Sequence, residues 1–274
     1  MRVGFVGLGS QGGPMARRIV EAGYRTTLWA RRSAVVEEFV AAGAHRAESL
    51  TELGAESDML CVCVIDDAGV DQVLRGPHGA LAGLQPGAIV VVHSTVHPDT
   101  CARLAADHPH LHVVDAPVSG GGFKAAAGEL LVMVGGDSAI AESCRPVFET
   151  YGNPVVHLGP LGAGLEAKLL NNALFTAQLG LAAEVYARAR TRGLDQAALA
   201  AALAVGSSRS YTAELVAGMG FGLGNFAGST ASLLAKDVGI VAGMDAATPS
   251  PLLGAASAAL ELMGVVSDNR KDSR

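Results

Sequence analysis

Glycine at positions 7, 9 and 12, in the run Gly7, Leu8, Gly9, Ser10, Gln11, Gly12, restricts the possible folds of this chain more than any other feature. The run lies where a short strand-like segment, Arg2–Val6, gives way to a helical pattern. At such a junction the first two glycines allow a tight turn and close backbone approach, and the third lets the helix pack against the strand. Behind the turn, Met15, Ile19 and Val20 recur at helical spacing and Gly23 is placed to end the helix. Pro14 near the helix start is harmless, because a first-turn amide has no intrahelical partner.

The rest of the first half repeats this strand-and-helix rhythm. Strand-like runs at 25–29, 59–64, 89–93, 112–115 and 130–134 are mostly continuous apolar stretches, as expected of strands covered by helices on both faces. After Gly159 such runs disappear, and Ala-, Leu- and Gly-rich helical sequence continues. The expected class is α/β: a Rossmann-type doubly wound parallel sheet over 1–160, then an all-α domain over 161–274. That second domain begins with one long interdomain helix over 165–192, with Leu165, Leu169, Asn172, Thr176 and Leu179 near one face. The tail 267–274 reads as disordered.

Bulk properties exclude several functional classes. The 274 residues are 50% hydrophobic and 17% charged, a balance that favours packed domains. A formal charge of −6 leaves no electrostatic footprint for nucleic acid. No apolar run approaches the roughly 20 residues of a membrane span. Met1 and Arg2 lead straight into a strand pattern without the regions of a signal peptide, so the cytoplasm is the expected location. The four cysteines form no CxxC pair and are expected to be reduced, with Cys61 and Cys63 as core residues. No metal is expected: His93 ends a strand ahead of His97, and His108, His110 and His112 lack a convincing fourth ligand.

A glycine turn opening a helix presents backbone amides to a pyrophosphate, so 7–12 reads as a dinucleotide cradle. The end of the second strand then separates NAD from NADP. A carboxylate there would bind the ribose 2′-hydroxyl, but the chain offers Arg31, Arg32 and Ser33, two guanidinium groups and a hydroxyl suited to a 2′-phosphate. NADP (NADPH) is expected over NAD. In a helical frame, Lys168 and Asn172 project from the same side, which lets an ammonium and an amide converge on one substrate oxygen. Ser119, Gly120 and Gly121 follow a strand, where a hydroxyl and nearby amides can bind a carboxylate.

Four ordered segments, GFVGLGSQGGPMA at 4–16, DAPVSGGG at 115–122, GAGLEAKLLNN at 162–172, and Lys236 with Asp237, strongly resemble the β-hydroxyacid dehydrogenase family. That family includes 3-hydroxyisobutyrate dehydrogenases, tartronate semialdehyde reductases and glyoxylate or succinic semialdehyde reductases. The resemblance implies an oxidoreductase moving a hydride between the nicotinamide and a small carboxylate-bearing hydroxyacid or its carbonyl partner. It implies Lys168 as general acid/base, Asn172 as the residue positioning substrate and lysine, and Ser119, Gly120 and Gly121 as the substrate loop. Ser94 and Thr95 would lie beside the nicotinamide ribose, and Val64, Ile65 and Asp66 at the dinucleotide crevice. Lys236 would reach the cofactor or substrate end of the cleft, oriented by Asp237. Gln11 departs from the family, which usually has methionine there, at a position near the nicotinamide. The family commonly forms homodimers or homotetramers.

Three rival readings remain. An imine reductase shares the architecture but usually departs from the dehydrogenase lysine, and a phosphogluconate dehydrogenase carries a longer C-terminal domain. A catalytically silent NADP-binding interaction module would leave the Lys168 segment unexplained.

Overall fold

The computed structural model describes residues 1–76, 78–226, 228–244 and 249–265, so the expected disorder of 267–274 lies outside the described residues. The strands are β1 (Arg2–Val6), β2 (Arg25–Trp29), β3 (His45–Arg46), β4 (Met59–Val62), β5 (Ile89–Val92), β6 (His112–Asp115), β7 (Val118–Ser119), β8 (Leu130–Gly135) and β9 (Gly152–Gly159). Between and beside them run α1 (Gly12–Glu21), α2 (Glu37–Val40), α3 (Leu50–Ala55), α4 (Asp67–Leu74), α5 (Pro98–Asp107), α6 (Gly121–Ala127) and α7 (Ser138–Phe148). The chain continues through α8 (Ala163–Thr191), α9 (Gln196–Leu203), α10 (Tyr211–Gly218), α11 (Ser229–Met244) and α12 (Pro251–Leu262).

The strands form one sheet in the order β3-β2-β1-β4-β5-β6-β8-β7, with β9 added beside β8. From β3 to β6 every pairing is parallel, whereas β8 runs antiparallel to β6 and β7. From β1 the chain moves outward to β2 and β3, then returns to place β4 on the other side of β1. That reversal is the switch point at which a doubly wound sheet opens a crevice beyond its strand ends.

Burial follows the period of two that a strand dictates. Val3 and Phe5 of β1, Met59 and Cys61 of β4 and Ile89 and Val91 of β5 face one core with Met15, Ile19 and Phe148. The intervening Val6, Leu60, Val62, Val90 and Val92 face a second core with Leu53, Leu104 and Leu165. Both faces are therefore covered, and this is why these strands read as unbroken apolar runs.

The chain divides into two compact units, Met1–Lys168 and Leu169–Arg274. The second has its own core, in which Leu169, Ala173 and Tyr186 of α8 pack with Val216, Leu234, Val238 and Ala259. A side chain at Gly180 would bring its Cβ to 2.6 Å from that of Ala259, so the scarcity of bulk at this point lets α8 and α12 approach closely. The first turn of α8 belongs to the first unit because Leu165 is part of the sheet's core. Among the described residues, no helix is long and apolar enough to cross a membrane.

Some expected boundaries shift. The strands expected at 59–64 and 89–93 end at Val62 and Val92, because the following residues turn out of the sheet to bond laterally: the Val64 amide donates to Ser94 Oγ at 2.8 Å. Strand β9 is not among the strands expected from the sequence. It has Asn153 and Pro154 near its start and largely exposed side chains, so it carries neither the buried run nor the alternation of a strand. Proline is tolerated there because β9 pairs on one side only.

Candidate active site

The register brings the strand ends level. Val6 pairs with Trp29 and Val62, Val62 with Val92, and Val92 with Asp115. Five parallel strands thus stop along one line, and the segments 7–12, 30–33, 63–66, 93–95 and 116–121 all leave from the same edge of the sheet. Nearly every first-half residue singled out in the sequence is brought to that edge.

The three glycines of the first turn are glycine for three different reasons. Gly7 has φ +100°, and any Cβ there would overlap the Cys63 carbonyl oxygen. A Cβ at Gly12 would overlap the Gly7 carbonyl oxygen, so this glycine lets α1 sit tight on the turn. At Gly9 an added Cβ would meet nothing within 4 Å. No protein atom explains that residue, whereas a bound pyrophosphate approaching the backbone would. The helix that follows has no acidic side chain in its first turn and no side-chain cap, leaving its first amides and the positive end of its dipole for an anion. The residues present therefore fit a nicotinamide dinucleotide.

Arg31, Arg32 and Ser33 follow β2 at the same edge and are exposed. Neither arginine forms an ion pair among the described residues, although most other arginines do. Other residues of the edge have local duties. Asp66 caps α4, its Oδ1 accepting from the Gly69 amide at 2.8 Å, while Ile65 beside it is 66% exposed. Ser94 is buried and its hydroxyl bridges the Val64 amide and the Val62 carbonyl, so it braces the neighbouring loop.

Two further residues, absent from the expected site, organise the side of this edge from which Ser119, Gly120 and Gly121 leave. Asp115 closes β6, is fully buried, and accepts from the Gly162 amide through Oδ1 and the Leu165 amide through Oδ2, both at 2.7 Å. It thereby caps the first turn of α8. Burial pushes its pKa up, and the amides of Gly162, Leu165, Asp115 itself and Gly164 pull against that rise. Gly135 and Gly164 leave room for it, since a Cβ at Gly164 would come within 2.8 Å of Oδ2. One turn further along α8, Lys168 is buried, at 9% exposure.

The second residue is His93. Its Nδ1 lies 2.6 Å from the Ala116 carbonyl oxygen, which can only accept, so Nδ1 carries the proton and Nε2 accepts from the Tyr151 hydroxyl at 3.2 Å. The ring stacks on Phe5 and meets Phe148 and Tyr151 edge-on. This strut holds the start of the loop that reaches Ser119, Gly120 and Gly121, where both glycines have positive φ. Burial lowers the His93 pKa to about 4, partly offset by the Ala116 bond. Because the unfolded imidazole, near 6.5, takes up its proton first, stability is full above pH 6.5 and falls as pH drops toward 4. Denaturant unfolding at pH 7 and pH 4.5 is expected to differ by about 2 kcal/mol from this group. In His93→Phe the pH slope over this range flattens; an unaltered slope refutes the assignment.

In the second unit, Asn172 Nδ2 donates to Asp237 Oδ2 at 2.6 Å, and Lys236 Nζ donates to Asp237 Oδ1 at 2.6 Å. Asn171 donates to Asn172 Oδ1 at 3.1 Å. Asp237 therefore orients Asn172 as well as Lys236, a second duty that its adjacency to Lys236 alone does not reveal. Among the described residues, no group of three or more His, Cys, Asp or Glu could hold a metal, and the four cysteines are free thiols.

A glycine cradle at the switch point of a doubly wound sheet, followed by a helical unit, defines a nicotinamide-dinucleotide oxidoreductase. Residues 2–159 match the NAD-binding domain of 6-phosphogluconate dehydrogenase, and residues 162–273 match the NAD-binding domain of NADP-dependent 3-hydroxyisobutyrate dehydrogenase. The chain is 32% identical to 2-(hydroxymethyl)glutarate dehydrogenase of Eubacterium barkeri, over 95% of this chain and 88% of that protein. It is 32% identical to the mitochondrial 3-hydroxyisobutyrate dehydrogenase of Mus musculus, over 92% and 78% of the respective chains. The Mycobacterium tuberculosis 3-hydroxyisobutyrate dehydrogenase solved with L-serine superposes with a TM-score of 0.83 at 26% identity, covering 96% of this chain and 94% of that one. The chain belongs to the β-hydroxyacid dehydrogenase family, whose members are NAD(P)-dependent dehydrogenases of small hydroxyacids.

Proposed function

We propose that this protein is an NADP-dependent enzyme that interconverts a small β-hydroxyacid and its semialdehyde or keto acid, with Lys168 as the general acid/base. The observation that carries the reading is Lys168 itself, a buried lysine one turn beyond a helix start that Asp115 clamps to the end of β6. A lysine is costly to bury, and an acid/base role at a reacting oxygen accounts for one in this place. When bound, the cofactor supplies or accepts the hydride. As a carbonyl is reduced, the Nζ–H of Lys168 gives its proton to the oxygen on which negative charge develops; in oxidation Nζ takes the hydroxyl proton. Ser119 and the amides of Gly120 and Gly121 hold the carboxylate, and Asn172, steadied by Asp237, orients the reacting oxygen.

Relatives use both cofactors: a Pseudomonas aeruginosa relative, 35% identical over 78% of this chain, is an NAD-dependent L-serine dehydrogenase, and Psf3 was solved with NADP+. The exposed Arg31 and Arg32, without ion pairs among the described residues, favour NADP here. Replacing both by alanine is expected to raise the KM for NADPH by about 10- to 100-fold, as loss of charge-assisted bonds does. The KM for NADH would stay within about threefold, and equal losses for both cofactors defeat the assignment.

The reading is tested by measuring turnover of 3-hydroxyisobutyrate, L-serine, 2-(hydroxymethyl)glutarate and small semialdehydes with each cofactor. One or more is expected to turn over with NADP(H). Cofactor binding without turnover across the panel would favour a silent binding module. We also propose a homodimer or homotetramer. Leu170, Leu174, Leu181 and Val185, 42 to 55% exposed, form one apolar stripe along α8, and a solution mass equal to the monomer refutes this.

A further inference from the structure

Gln11 carries the one buried side-chain nitrogen or oxygen among the described residues that has no hydrogen-bond partner, its amide nitrogen Nε2. It occupies the N-cap position of α1, yet its side chain bonds no helix amide. Elsewhere Asp66, Asp137 and Ser210 spend their side chains on that duty. The amide nitrogen of Gln11 thus serves neither the helix nor the core, and a methionine could fill the same space without a donor to satisfy. An orphaned buried donor is a standing cost to the unliganded protein.

Its place in the fold says what could meet that donor. Gln11 follows Gly9, whose Cα faces open space, and precedes α1. The carbonyl oxygen of the preceding Ser10 lies against Gly122, where any Cβ would overlap it. The dinucleotide turn 7–12 and the segment Ser119 to Gly122 therefore meet at this point, backbone to backbone. Gln11 stands at the seam between the loop that fits the cofactor and the loop proposed for the acid. The residue as a whole is only partly buried, so it is open on one side to a ligand.

We propose that Gln11 is a specificity-determining residue whose amide donates to an sp² oxygen of a ligand at this seam, either the nicotinamide carboxamide or the substrate carboxylate. The inference rests on the function proposed above. The donor is neutral, so its contribution does not titrate.

The test compares wild type with Gln11→Met, which keeps length and removes the donor. Three quantities are measured: Tm without ligand, Kd for NADPH without substrate, and KM for the best substrate. Expected together are a Tm raised by about 2–4 °C, because the unpaired amide is gone, and a rise of about 3- to 10-fold in Kd or KM, the worth of one hydrogen bond. A raised Kd identifies the carboxamide as acceptor, and a raised KM with unchanged Kd identifies the carboxylate. A merely structural glutamine would move Tm downward. The proposal is overturned by a lowered Tm, or by Kd and KM both within twofold of wild type. If the wild type turns over none of the substrates, the proposed function fails separately, and the Kd of 3-hydroxyisobutyrate with NADP+ bound takes the place of KM, both Kd values within twofold of wild type overturning the proposal.

Discussion

Lys168→Met is expected to lower kcat by about 10²- to 10⁴-fold, with NADPH Kd within about threefold of wild type. Methionine keeps an unbranched stem of similar length in a buried position and removes only the ammonium, so the loss reports proton transfer and not a cavity. The wide range reflects how much of the barrier the proton carries, because the glycine turn 7–12 and the proposed acid-binding residues 119–121 are untouched. Steady-state kinetics beside a fluorescence titration of NADPH separates the two effects. If the variant retains nearly full turnover, Lys168 is not the acid/base.

The second large effect is expected at Asp115. Asp115→Ala leaves the Gly162 and Leu165 amides buried without their acceptor, each costing about 1–3 kcal/mol, so unfolding should ease by about 3–5 kcal/mol. Tm then falls by on the order of 10 °C. Asp115→Asn keeps the shape but aims an NH2 at one of two N–H donors, and it should recover less than half of the loss. Asp115→Glu should not rescue either, because the backbones of Gly135 and Gly164 crowd the carboxylate and leave no room for another methylene. Activity should fall further than folding does. The first turn of α8 sets where Lys168 emerges, and a displacement of about 1 Å can cost about 10²-fold in rate. Calorimetry and kcat measured well below Tm test both parts: an Asp115→Ala protein with wild-type Tm removes the clamp, and one with wild-type kcat removes its link to Lys168.

These two residues were unequally visible in the sequence. Lys168 was legible because its surroundings, GAGLEAKLLNN, are local and distinctive. Asp115 was visible only as the first letter of DAPVSGGG, although a carboxylate ending an apolar strand is itself a signal that buried partners exist. Its partners lie 47 and 50 residues away, and no local pattern names them. The same holds for His93, which read as a failed metal ligand; its links to Ala116 and Tyr151 span 23 and 58 residues.

By itself the sequence determined the period of each element and the conformational freedom at each turn. That was enough for the glycine cradle at 7–12, the apolar strands, the long helix and the basic end of β2, because backbone sterics and burial on two faces act locally. Only the tertiary structure decided that five strands end level, so that their loops share one edge. It also decided that β9 is a strand at all, and that Asp115, His93 and Asp237 spend their polar groups on distant backbone groups and side chains. Buried polar groups must find partners, and which partners they find depends on where the chain crosses itself. Gln11 shows this most plainly: the sequence reveals an amide at the entry to the first helix, but only the packed structure reveals that the amide nitrogen has no partner.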